Sequence, residues 1–355
     1  MTPWLDVVAA IAGVVVLASV SLDVYRTVVM PRPFYGLSLS KRFVRLVWRL
    51  WRRLGVRIRN PQRREGVLGA YAQLALLVLL TYWVLGLVLG YALILYALRD
   101  GLAPQPVIFG TALYMAGVSL LTLGIGDVVP TSVAARILTL ITAASGPALI
   151  GVVLALLFSL SASFQRREAL ITTLDASAGA PPSGVHMLET YALLQMPDQL
   201  PQTFRAWEQW TAEVLDSHLS YPLLCFFRST HDHESWISAL GAVLDAATLA
   251  VSSIDAPSGN ARLLYDIGCH AVEDLSNYFD LHHDHEVGVE PAEFAAALDT
   301  LAAAGYTVAR DASWDRFAAL RSRYAGPLNA LAANFATPPA LWVGDRATLH
   351  GARQE

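Results

Sequence analysis

At 355 residues the chain is long enough for two domains, and 15% charged residues with a mean hydropathy of +0.45 exclude an ordinary soluble protein. The formal net charge of -4 hides a division: residues 1 to 164 carry 14 Lys and Arg against 5 Asp and Glu, whereas residues 165 to 355 carry 11 against 24. Two cysteines, Cys225 and Cys269, are too few for a disulfide framework, which suits an intracellular C-terminal half.

The first apolar stretch runs from about residue 4 to 29 without a preceding basic region, so it reads as a retained transmembrane helix rather than a cleaved leader. Two further stretches, about 67 to 97 and about 133 to 163, also reach the roughly 20 residues a bilayer needs. A fourth, 107 to 121, is too short to span. Between Asp23 and Glu65 there are 12 basic residues and no acidic one. The positive-inside rule therefore places this loop in the cytoplasm and the N-terminus outside. The second span then runs outward, and the third returns to a basic end at Gln165-Arg166-Arg167. Within the loop, Val44, Val47, Trp48, Trp51 and Leu54 recur at helical spacing among arginines, as in a helix lying on a membrane surface. Residues 41 to 64 are thus expected to meet anionic inner-leaflet lipids. Only one membrane helix precedes these arginines, which argues against a voltage-sensing helix.

The stretch DASAGAPPSG over residues 175 to 184 has the composition of a linker. Beyond it the periodicity is helical: Trp236, Leu240, Val243, Leu244 and Ala247 share one face, as do Leu264, Ile267, Ala271, Leu275 and Tyr278. Pro291 after Glu290, and Ser313 before Trp314, mark helix starts. His270 beside the second stripe reads as a core histidine, and Cys269 as packing. Two clusters, His231-Asp232-His233-Glu234 and His282-His283-Asp284-His285-Glu286, flank helices that would meet at one end of a hairpin. There His231, His233, Glu234, His282, His283 and His285 are candidate ligands for a divalent metal, set against the plainer reading of solvated helix ends.

Residues 112 to 130 read ALYMAGVSLLTLGIGDVVP. A short apolar helix followed by Thr122-Leu123-Gly124-Ile125-Gly126-Asp127, between two full spans, resembles the pore loop of the potassium channel superfamily, whose filter consensus is T-x-G-[YF]-G-D. The physical requirement stands beside the resemblance. An ion stripped of water needs a ladder of backbone carbonyls. Aiming successive carbonyls at one axis demands dihedrals that glycine tolerates, a role that falls to Gly124 and Gly126. The resemblance implies that residues 122 to 127 form the selectivity filter, that Tyr114 and Val118 support it from the pore helix, and that the following span gates, with a hinge at Gly146, Pro147 and Gly151. It also implies a homotetramer, because one chain supplies one loop, and K+ as permeant ion with no required cofactor.

The sequence departs from the family where Ile125 replaces an aromatic residue, Leu121 a threonine and Val118 an acid, which puts filter support and selectivity in question. The expected architecture is an all-α membrane protein. It comprises an N-terminal transmembrane helix (1–30), a basic interfacial loop (31–66), a pore domain with a re-entrant loop (67–164), a linker (165–184) and an all-α cytoplasmic domain (185–355). The expected protein is a plasma-membrane potassium channel that is not an enzyme and binds no nucleic acid. Alternatives are a weakly selective cation channel, a non-conducting sensor and, from His231-Asp232, a membrane-tethered metal-dependent phosphohydrolase of the HD type.

Overall fold

The computed structural model describes residues 3–29, 39–229, 235–256, 258–284, 286–337 and 340–343. Among them three helices are long and apolar enough to cross a membrane: Trp4–Val28, Gln62–Ala97 and Val133–Ala178. The chain divides into two units, one of Met1–Trp51 with Ala70–Ser161, the other of Arg52–Gly69 with Ala162–Glu355.

In the first unit, helix α1 (Pro3–Val24) continues through a π-helical turn to Val29. It packs antiparallel along α4 (Tyr71–Ala97). The approach is close because the contacts are small: a Cβ on Gly90 would meet the Leu17 side chain at 2.7 Å, and one on Gly86 would meet Val20 at 2.6 Å. Both ends are tied by polar groups. Arg99 Nη2 donates to Asp6 at 2.9 Å, and Trp83 Nε1 donates to the buried Asp23 carboxylate at 3.0 Å. In an apolar surrounding such pairs carry weight because each partner would otherwise be orphaned. Helix α2 (Leu39–Val56) leaves Leu46, Leu50 and Leu54 exposed at successive turns, while Trp48 is buried edge-on against Tyr71, ring centroids 4.8 Å apart.

The basic segment expected over 31–66 as a cytoplasmic loop or interfacial helix is helical over α2, and its second half groups with the C-terminal unit. Residues 52–69 group with that unit, and α3 (Pro61–Gly69) runs on into α4 through Ala70, whose φ of -67° and ψ of -13° are helical. The reason lies in contacts distant in sequence: Gly55 sits against the Leu68 side chain, and Glu65 accepts from Arg228 at 3.0 Å.

After α4, a two-residue ladder pairs β1 (Leu102–Ala103) with β2 (Val129–Pro130) across the helix α5 (Phe109–Leu120). Helix α6 (Val133–Ala178) follows. The segment read as a linker over 165–184 is therefore helical over its first two thirds. Residues 165–178 contain no helix breaker, so the helix persists until Gly179, whose φ of +80° turns the chain out.

The C-terminal unit is a helical bundle of α7 (Gly184–Leu193), α8 (Leu200–Ser220), α9 (Trp236–Ser252), α10 (Gly259–Tyr278), α11 (Pro291–Ala303) and α12 (Trp314–Phe335). Ser313 caps α12 by accepting from the Arg316 amide, and Glu290 with Glu293 forms a capping box before Pro291. Both helix starts are as the sequence indicates. Helix α9 differs from its reading as one-faced: it is buried on all sides, with α7, α10 and α12 packed on it. At its centre Asp245, 1% exposed, accepts from Arg321 Nε at 2.9 Å and from the Tyr324 hydroxyl at 2.6 Å. Burial and the Asp245 carboxylate push the Tyr324 hydroxyl well above its ordinary range, so it remains a donor. Cys269 is buried as expected, but His270 is exposed and pairs with Asp274 at 3.4 Å. It falls on the outer side of the apolar stripe of α10.

Candidate functional site

Helix α5 ends in a defined stop. The Leu123 amide donates to Val118 O at 2.9 Å and the Thr122 amide to Ser119 O at 3.1 Å, with Thr122 at φ +56°. This pair of bonds is a Schellman motif, which consumes carbonyls that the helix end would leave unsatisfied. Its left-handed position usually takes glycine. Threonine there costs about 1–3 kcal/mol of backbone strain, and such strain persists where the surrounding structure demands a particular chain path.

Positive φ recurs at Gly124 (+60°) and Gly126 (+81°), so every second residue from 122 to 126 is left-handed. In an extended strand successive carbonyls alternate in direction, and reversing the handedness of alternate residues brings them toward one side. The alternation has a second consequence. Leu123 and Ile125 are both exposed, and a Cβ on Gly124 would meet nothing within 4 Å. Within one chain, one side of this segment is therefore uncovered.

The other side is backed by a cavity of about 140 Å³ lined by Tyr114, Met115, Val118, Gly124 and Asp127 among others. Asp127 Oδ1 accepts the Val128 amide at 3.1 Å, and Tyr114 faces the same cavity as Asp127. The loop's exit is pinned by the β1–β2 ladder and by Gly101 O, which accepts the Thr131 amide at 2.8 Å. Tyr114 and Val118 thus both wall the cavity behind the loop, and Val118 also meets it through its carbonyl at the helix stop.

Helix α6 passes through Pro147 without interruption. Proline has no amide to donate, so the Ala143 carbonyl lacks its helical partner there. Gly146 seats the end of α5: a Cβ at that position would collide with the Leu120 carbonyl. Gly151 meets nothing within 4 Å. The two glycines consequently predict opposite signs. Gly146→Ala is expected to cost about 1–3 kcal/mol through overpacking, while Gly151→Ala is neutral or stabilising by about 0.5–1 kcal/mol because alanine favours a helix interior. Thermal unfolding of the detergent-solubilised protein checks this, and a Gly146→Ala variant as stable as the parent refutes the seating contact.

Of the expected metal ligands, His231, His233, Glu234 and His285 lie outside the described residues. His282 and His283 follow α10, and among the described residues no group of three His, Cys, Asp or Glu is placed to hold a metal. Among the buried charges that sequence reasoning missed are Arg167 and Arg321. Arg167 sits in a basic run that reads as a topology signal, and Arg321 alternates with Arg323 as surface arginines do. Neither has a local signature of burial.

No curated protein and no solved structure matches the chain. Residues 80–162, which hold most of α4, all of α5, the Thr122–Asp127 loop and the first part of α6, match a family model described as an ion channel, so this part of the chain is similar to an ion channel domain.

Proposed function

We propose that the protein is one subunit of a tetrameric cation channel, selective for potassium, whose filter is Thr122, Leu123, Gly124, Ile125, Gly126 and Asp127. The observation that carries this reading is the left-handed alternation at Thr122, Gly124 and Gly126, placed after a capped short helix within the part of the chain similar to an ion channel domain. Four copies of the uncovered side would together supply the carbonyl oxygens that replace an ion's hydration shell. The C-terminus of α5 would add its partial negative charge at the inner end of the filter. Asp127, beside Tyr114 in the cavity behind the loop, would keep the outer mouth negative and help hold the filter backbone in place.

In this reading the loop re-enters the membrane from outside and the N-terminus is outside. Basic residues 41–64 lie at the anionic inner leaflet of a plasma membrane, and the C-terminal unit is cytoplasmic. The small residues Gly146, Pro147 and Gly151 are where α6 would bend on opening. Gly146 is also the seat of α5, so bending there would move the base of the filter.

The purified protein in planar bilayers under a potassium/sodium bi-ionic gradient tests this proposal. A reversal potential strongly displaced in the direction of potassium permeation, with block by external barium, is the expected result. Robust current reversing near zero would replace potassium selectivity with a general cation pore, through loss of the aromatic brace at Ile125. Absence of current at any lipid composition would refute conduction. Repeating the measurement with and without anionic lipid tests the proposed role of residues 41–64, which predicts a composition-dependent current that high salt diminishes.

A further inference from the structure

One five-residue segment of the C-terminal unit holds three elements together. Leu224–Arg228 leaves the 3₁₀ turn Pro222–Phe226 and passes between α6, α3 and the end of α12. Toward α6, Arg167 is 2% exposed and donates to Leu224 O at 3.0 Å and Phe227 O at 2.9 Å. The same guanidinium binds Glu168 at 2.9 Å and meets His218 Nε2 at 3.1 Å. Burial and the neighbouring Arg167 charge hold His218 well below the ordinary imidazole range, so it accepts as a neutral ring. The Phe227 ring adds a contact with Phe164 of α6, centroids 5.7 Å apart.

Toward α3, Arg228 Nη1 donates to Glu65 at 3.0 Å, while its Nη2 donates to Phe335 O at 2.7 Å and Ala336 O at 3.0 Å. Between these two arginine clamps, Phe226 is fixed in the core, edge-on to Phe335 with centroids 5.1 Å apart and to Phe279 at 6.0 Å. The segment is therefore tied by charge-assisted bonds on both flanks and anchored in the middle. Such bonds are stronger than neutral ones, and buried arginines hold their geometry rigidly.

Connectivity gives this strap a further role. Helix α6 is uninterrupted from Val133 to Ala178, and a single residue, Ala70, separates α3 from α4. The strap thus grips the segments that continue directly into the two long helices flanking the ion-conducting loop. Resting on the channel reading above, we propose that Leu224–Arg228 is the element through which the C-terminal unit sets the open probability of the channel. Arg167 and Arg228 are its positioning residues. The strap acts on both helices of its own subunit together, because the two clamps share one short piece of backbone.

The test compares the full-length protein with Arg167→Met and Arg228→Met, which retain the aliphatic stem without the donors. In single-channel recordings both variants are expected to shift open probability in the same direction, by about 5- to 150-fold, the range of ordinary coupling between sites. Unitary conductance and reversal potential should stay unchanged, and Arg228→Lys should recover part of the shift. An open probability equal to that of the parent, or a change in conductance or selectivity, overturns the proposal. Hydrogen exchange on the detergent-solubilised chain supplies a readout independent of current. Arg228→Met should deprotect α3 and also the stretch of α6 around Arg167, which Arg228 does not touch. Deprotection confined to α3 and the end of α12 overturns a shared strap. A parent protein that carries no current while passing the exchange test would overturn the channel reading and leave the mechanical link standing.

Discussion

Replacing Gly124 by aspartate is expected to abolish ion flux into potassium-loaded vesicles while leaving the assembled protein intact. The effect has two sources. Gly124 has φ +60°, and a side chain at a left-handed position costs about 1–3 kcal/mol, which favours a different path for residues 122–126. The added carboxylate also sits in the row of carbonyls proposed to replace water, where a fixed negative charge traps a cation rather than passing it. An added Cβ meets nothing within 4 Å in its own chain, so no loss of core packing accompanies the change, and an unchanged size-exclusion profile is expected. Gly124→Ala isolates the backbone contribution. Flux in Gly124→Asp equal to the parent's would remove the Thr122–Asp127 loop from the conduction path altogether.

The largest stability effect is expected at Asp245→Ala, about 3–5 kcal/mol, the cost of leaving a buried guanidinium without its carboxylate. Arg321 has 0% exposure and cannot recover the loss from water. It also donates to the carbonyls of Trp342, at 2.6 Å, and of Val287. The substitution should therefore also loosen the segments before α11 and after α12. Tyr324 would lose its acceptor at the same time, keeping only the Thr248 hydroxyl at 3.1 Å. Denaturant unfolding checks this, with Arg262→Met as control. Arg262 and Asp266 are both about half exposed, and breaking such a surface pair costs about 0–1 kcal/mol. In the double variant Asp245→Ala/Arg321→Met the two losses should be far from additive, because the second change removes the charge that the first leaves stranded. Additive losses would show that Asp245 and Arg321 do not act as a pair.

Much of the membrane half is legible from local pattern. A bilayer span needs a run of apolar residues whatever its neighbours are, so the three long helices are visible directly in the chain. The Thr122–Asp127 motif carries its own conformational demand, and the alternation of left-handed residues is where the glycines of the motif predict it. Glu290-Pro291 and Ser313 are equally local, since a cap is satisfied by amides two or three residues away.

What the tertiary structure alone decided depends on partners far along the chain. Residues 165–178 lack a helix breaker and continue α6, but only the fold shows that Arg167 within them is buried against the carbonyls of Leu224 and Phe227 some 60 positions on. Arg321 and Arg167 look like surface charges, since nothing nearby in sequence announces the carboxylates and carbonyls that surround them. Gly146 reads as a hinge on its own, and its contact with the Leu120 carbonyl arises only when α6 meets the end of α5. Helix α9 shows a single apolar stripe by periodicity, but its remaining small and hydroxylated residues are covered by α7, α10 and α12. Hydropathy and caps are properties of a few consecutive residues and survive in the sequence. Burial of charge and close approach of backbones are properties of pairs of segments, and only the assembled fold specifies them.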